Sequence, residues 1–132
     1  MALSSGFVLS AILSSCKTTA LGVVKTSSKD NLVTIPLTAF EKISYKLVRV
    51  SNYDYDLAIQ KNPDGTFTTL LLMCTHQHNP LTRTGDNYYC TTHGSQFNHE
   101  GKVTKGPAEM NLVRLKSVVE KDNLLVHLET SL

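Results

Sequence analysis

Tryptophan is absent from the 132-residue chain, and aromatic residues as a whole make up 7% of it, so the core must rest on aliphatic side chains. Charge is scarce too: Lys, Arg, Asp and Glu are 18% of the residues and the formal net charge is +2. A basic surface strong enough to hold a nucleic-acid backbone is therefore excluded, and no nucleic-acid partner is expected. No glycine-rich nucleotide loop is present, nor a second ligand set of the two-histidine, one-carboxylate kind, so the chain has no visible machinery for substrate chemistry. Cysteine occurs three times, an odd number that cannot close a disulfide framework, which asks for another use of the thiols.

Val, Leu, Ile and Thr dominate after residue 32, a composition that favours short strands over helices. Leu32-Val33-Thr34-Ile35-Pro36 and Lys46-Leu47-Val48-Arg49-Val50 alternate apolar and polar side chains, and Tyr55 to Lys61 continues the pattern; each predicts a strand with one face on a core. Asn62-Pro63-Asp64-Gly65 carries turn chemistry and predicts an antiparallel connection to a strand from Thr66 to Met73. Further strands are expected at Lys102–Thr104, near Leu112–Leu115 and at Leu124–Leu128, with a turn over Ser117–Asn123. Between Thr38 and Tyr45 the spacing is ambiguous and admits a helical turn. Periodicity alone gives an all-β sandwich or barrel.

The N-terminus reads differently. An apolar run, Phe7-Val8-Leu9-Ser10-Ala11-Ile12-Leu13, leads into Leu13-Ser14-Ser15-Cys16 and is too short for a helix across about 30 Å of hydrocarbon, which takes about 20 residues. It resembles a bacterial lipoprotein signal, which implies lipidation of Cys16 and anchoring by two acyl chains. No Lys or Arg precedes Lys17, so the basic start usual in such signals is missing. Residues 1–16 are thus expected as the signal, 17–31, rich in Thr, Ser and Lys, as a flexible tether, and 32–132 as the folded domain.

Two short sets, Cys74-Thr75-His76 and Cys90-Thr91-Thr92-His93, each offer one thiol and one imidazole. The second runs on into Gly94-Ser95-Gln96-Phe97, and Gly106-Pro107-Ala108 follows after a short interval. Residues 70–112 thereby resemble the cluster-binding subdomain of Rieske iron–sulfur proteins, in which mixed thiolate and imidazole ligation holds a [2Fe–2S] cluster. The resemblance implies a Rieske-type antiparallel sandwich or barrel with a cluster-binding subdomain inserted at about 73–109. It also implies that Cys74 and Cys90 bind an inner iron, while His76 and His93 bind an outer one. Ser95 sits where a hydroxyl in high-potential members donates to a bridging sulfide, and Phe97 where those members carry a hydrogen-bonding tyrosine. Gly106 and Pro107 match the proline loop that covers the cluster; the positions of the family's inter-loop disulfide hold Asn79 and Thr92. His78, His99 and His127 fall outside the pattern.

The expected function is one-electron transfer without catalysis of its own, at a potential lifted by neutral imidazoles from about −400 mV into a window of about −150 to +300 mV. A redox partner would dock near His76 and His93, with the domain lipid-anchored on the outer face of a bacterial membrane. The alternatives are a soluble, cytoplasmic ferredoxin serving a ring-hydroxylating dioxygenase, or an accessory subunit stabilised by the cluster or by zinc, which also accepts two Cys and two His.

Overall fold

In Leu32–Pro36, Val33 and Ile35 are fully buried while Thr34 faces solvent, the arrangement that alternation along a half-buried strand imposes. The same rule holds in Asn123–His127, while Leu57–Lys61 and Phe67–Leu71 each bury three successive residues; the computed structural model describes residues 22–129. Cys16, with the signal and the first part of the tether, lies outside the described residues.

In chain order the strands are β1 (Val23–Thr26), β2 (Leu32–Pro36), β3 (Tyr45–Val50), β4 (Leu57–Lys61) and β5 (Phe67–Leu71). Then come β6 (Thr82–Thr84), β7 (Asn87–Tyr89), β8 (Gln96–Phe97), β9 (Val103–Lys105), β10 (Ser117–Glu120) and β11 (Asn123–His127). They form three sheets, ordered β1-β3-β4-β5, β10-β11-β2 and β6-β7-β8-β9. β1 runs parallel to β3, and every other pairing within the sheets is antiparallel. The first two sheets are the base. Their apolar faces meet in one core that includes Val33, Ile35, Val48, Leu57, Leu124 and Val126. The third sheet enters the chain between β5 and β10, so the fold is the expected all-β base with an inserted subdomain.

At the turn between β4 and β5, Gly65 takes φ +86°, and the Asp64 carboxylate accepts from both the backbone N–H and the hydroxyl of Thr66 (3.0 and 2.6 Å). Those two bonds hold the Asp64 carboxyl below its usual range. The admitted helical turn is a 3₁₀ turn at Leu37–Phe40 that buries Phe40.

Three expectations differ. Residues 23–26, expected within the tether, are a strand, because Val23, Val24 and Thr26 find the free edge of β3 in register from Val23–Leu47 to Thr26–Val50. Ser117–Asn123 is not simply a turn: Ser117–Glu120 pairs with β11, and only Lys121 and Asp122 make the bend. Its neighbours Val118 and Val119 are both exposed, so no alternation marks it. Residues 112–115 do not form a strand; they touch β5 through one bridge, Leu70 to Arg114, flanked by Leu71 N–H to Val113 O and Leu115 N–H to Thr69 O (both 2.9 Å). That contact ties the inserted subdomain back to the base.

Candidate metal centre

The first ligand loop leaves β5 and is closed by a bridge between Met73 and Pro80. The second leaves β7 and feeds β8. Both are the same hydrogen-bonded turn. Cys74 N–H donates to Asn79 O (2.8 Å) and His78 N–H to Cys74 O (2.8 Å); Cys90 N–H donates to Ser95 O (2.9 Å) and Gly94 N–H to Cys90 O (2.9 Å). The fourth residue after each cysteine must therefore take a left-handed backbone. Gly94 does so at φ +85° without steric penalty, whereas His78 at φ +59° carries a Cβ into a conformation that costs about 1–2 kcal/mol.

Within this shared frame His76 stands two residues after its cysteine and His93 three after. Their imidazoles nonetheless meet, with ring centroids 5.0 Å apart and planes at 89°. Cys74 and Cys90 are 1% and 0% exposed, while both histidines are exposed. Thiols thus sit at the inner end and imidazoles at the outer end. Burial opposes a charged Cys90, but the backbone N–H groups of His93 and Thr92, the Cys74 thiol and the Thr92 hydroxyl outweigh it, leaving the Cys90 thiol below its ordinary range.

Around the thiols the packing is dry. Leu72, Leu81, Tyr88, Phe97, Ala108 and Leu112 share one apolar cluster with the two cysteines, and Phe97 is completely buried with no hydroxyl to offer. Ser95, also completely buried, accepts a 2.9 Å bond from Ala108 N–H. Its own hydrogen is free for an acceptor, and a hydroxyl that accepts one bond donates the next more strongly. Gly106 and Pro107 are exposed, while the next residue, Ala108, is buried.

That segment ties the loops together. Thr75, between the first two ligand positions, donates its hydroxyl to Met110 O at 2.6 Å, while Ala108 N–H reaches Ser95 in the other loop. Asn79 and Thr92 form no covalent link, and the strap from 106 to 110 joins the loops through hydrogen bonds instead. Sequence reasoning passed over Thr75 and Met110: a threonine among Thr-rich loops carries no signal of its partner, and Met110, 70% exposed, lies outside every periodic stretch.

The remaining histidines stand apart: His78 and His99 are exposed loop residues, and His127 is half-buried on β11. A cleft of about 580 Å³ opens on the flank between Tyr45, Leu70, Arg83, Tyr88 and Arg114. Part of its polar lining is spent on neighbouring groups, but Arg83 Nε and Nη1 are buried with no hydrogen-bond partner among the described residues. The Tyr45 and Tyr88 hydroxyls bond at 3.2 Å, Arg83 pairs with Asp86 and stacks 4.2 Å over the Tyr45 ring, and Arg114 reaches Glu100 O. Burial, followed by the bond to Tyr45, pushes the Tyr88 hydroxyl well above its usual range, so it stays neutral.

A [2Fe–2S] core asks for two thiolates on one iron, two neutral nitrogens on the other, and apolar surroundings with a few aimed donors. The residues fit that demand. Fold and site together define a small β-class domain built for mixed-ligand iron–sulfur binding. The family model of the Rieske [2Fe-2S] domain matches residues 36–119. The chain belongs to that family, whose domain carries a [2Fe–2S] cluster.

Among relatives, the chain is 33% identical over 75 residues to the mitochondrial cytochrome b-c1 complex subunit Rieske of Saimiri sciureus, covering 54% of this chain and 27% of the relative. It is 44% identical over 41 residues to the cytochrome b6-f complex iron-sulfur subunit of Prochlorococcus marinus (strain MIT 9303), covering 31% of this chain and 23% of the relative. The chain thus spans only about a quarter of the length of these curated relatives. In fold it is similar to the cyanobacterial plasma membrane Rieske protein PetC3 from Synechocystis PCC 6803, with TM-score 0.53 and 22% identity over 71% of this chain and 97% of that one. A chain in the complex of reduced oxygenase and oxidized ferredoxin in carbazole 1,9a-dioxygenase is similar at TM-score 0.51 and 21% identity, covering 79% and 99%.

Proposed function

We propose that Cys74 and Cys90 hold the inner iron and His76 and His93 the outer iron of a [2Fe–2S] cluster, and that the chain is a one-electron carrier without catalysis of its own. The observation that carries this reading is the division of donors: buried thiols at one end, facing imidazoles at the exposed other. A single zinc ion needs its donors gathered on one point. Here they are paired instead, imidazole facing imidazole and thiol beside thiol.

When bound, the cluster supplies a one-electron acceptor within a window of about −150 to +300 mV. The chain sets the place in that window. The Ser95 hydroxyl, backed by Ala108 N–H, offers a donor that favours the more negative reduced state, while Phe97 withholds one. The apolar cluster around Cys74 and Cys90 keeps water from the inner end, and the exposed imidazole edges of His76 and His93 give a redox partner a short approach. A redox titration of purified holoprotein tests this: a single one-electron wave inside the window is expected, and no reversible wave there contradicts the reading.

We read residues 1–16 as a lipoprotein signal and, within 17–31, the part that precedes β1 as the tether, a reading under which the carrier sits on the outer face of a bacterial membrane and serves an oxidase, reductase or cytochrome. Fatty-acid labelling that disappears in Cys16→Ala supports this; unlabelled wild type contradicts it. The fold likeness to the carbazole dioxygenase complex and the absence of a cysteine at Asn79 and Thr92 favour a second reading, a soluble ferredoxin that feeds an oxygenase.

A further inference from the structure

Tyr55 lies in the base, half-buried against its core between β3 and β4, yet its hydroxyl donates a 2.8 Å hydrogen bond to the carbonyl of His78 in the first ligand loop. His78 is the residue held at φ +59°, at the position that the twin loop gives to Gly94. A side chain in that backbone region persists only where its surroundings over-determine it. We propose that Tyr55 is a positioning residue for the metal centre: its hydroxyl fixes the His78 peptide in the left-handed turn, which in turn sets Cys74 and His76.

Three observations support the assignment. The bond falls on the very residue whose conformation is costly, not on a relaxed part of the loop. The second loop, where glycine takes the conformation freely, has no corresponding bond to its Gly94 carbonyl among the described residues. Tyr55 is also itself held. Its ring packs edge-on to Tyr53 at 5.8 Å, and the next residue, Asp56, accepts Leu72 N–H at 3.0 Å through its carbonyl and Arg49 at 3.0 and 3.2 Å through its carboxylate. The donor thus reaches from the base to the first ligand loop, at a residue other than the one that bonds the strap. In a chain without a disulfide at Asn79 and Thr92, this is a fastening of the first loop to the base rather than to its twin.

The inference rests on the cluster reading and is tested so that the two can fail separately. Holoprotein of the wild type, Tyr55→Phe, His78→Gly and the double variant is exposed to a chelator. The rate of visible bleaching is followed, with the paramagnetic spectrum of the dithionite-reduced form recorded beside it. Tyr55→Phe keeps the ring and its packing, so a purely structural role leaves both readouts unchanged. Loss of one hydrogen bond to the strained turn is expected to speed bleaching about two- to tenfold and to alter the spectrum. His78→Gly alone is expected to bleach no faster than wild type, and added to Tyr55→Phe it should restore the wild-type rate to within about twofold, because glycine removes the strain that the bond offsets. Tyr55→Phe indistinguishable from wild type, or a double variant as labile as Tyr55→Phe, overturns the inference alone. A wild type that takes up no cluster overturns it together with the reading beneath it.

Discussion

The base and the inserted subdomain are two small cores built on opposite terms. The base buries aliphatic side chains such as Val33, Ile35 and Leu124 between facing sheets, while Ala58 and Leu70 on its other face are covered by the subdomain. The subdomain buries two free thiols, a serine and a tyrosine hydroxyl among its apolar residues, and its strands are two or three residues long. Strands that short cannot stabilise themselves. The comparison teaches that the base is a scaffold stable by burial, whereas the ligand loops are held by discrete fastenings, Tyr55 to His78, Thr75 to Met110 and Ala108 to Ser95, to which the proposed cluster would add its own.

The sharpest way to break this contrast is Cys90→Ala. It should abolish cluster binding while leaving the base folded, read as zero iron in the purified protein together with preserved hydrogen-exchange protection in β2 and β11. Global unfolding instead would show that the two cores are one. Leu124→Ala strikes the other side: a fully buried leucine in the base should cost about 2–5 kcal/mol in denaturant unfolding. The midpoint potential of the molecules still folded should not move.

Smaller effects sharpen the picture inside the subdomain. Ser95→Ala removes the hydroxyl proposed to donate to the reduced cluster, and a bond of about 1 kcal/mol corresponds to about 40 mV for one electron, so the midpoint should fall by that order. Phe97→Tyr should raise it by a similar amount, with no change or a fall counting against the electrostatic account. Smallest is Thr75→Val, which cuts the 2.6 Å bond to Met110 O. It should quicken cluster loss a few-fold and leave base stability untouched, measured by bleaching and by thermal melting.

The same contrast explains what could be read from the chain beforehand. β2 and β11 were legible because a half-buried strand of five residues shows its period, whereas β4, buried at Leu57, Ala58 and Ile59 in succession, showed itself as a short apolar run before the Asn62–Gly65 turn. β6, β7 and β8 were not: Thr82-Arg83-Thr84 and Gln96-Phe97 are too short to show one. β1 and β10 hid for another reason, since each is an edge strand of its sheet with Val23, Val118 and Val119 left exposed. The ligand loops, by contrast, were legible through residue chemistry, which is local. What holds them was not, because Tyr55 and His78 are 23 residues apart and Thr75 and Met110 are 35 apart, and no local pattern joins them. The shared turn of the two loops also escaped notice, because Gly94 announces a left-handed residue and His78 does not.

Metal and sulfide analysis of the purified chain, paired with the paramagnetic spectrum after dithionite, tests the central claim most directly. Sulfur and nitrogen donors segregated at opposite ends require two irons and two acid-labile sulfides per chain, with a signal that appears on reduction. One zinc, no sulfide and no signal would contradict the account.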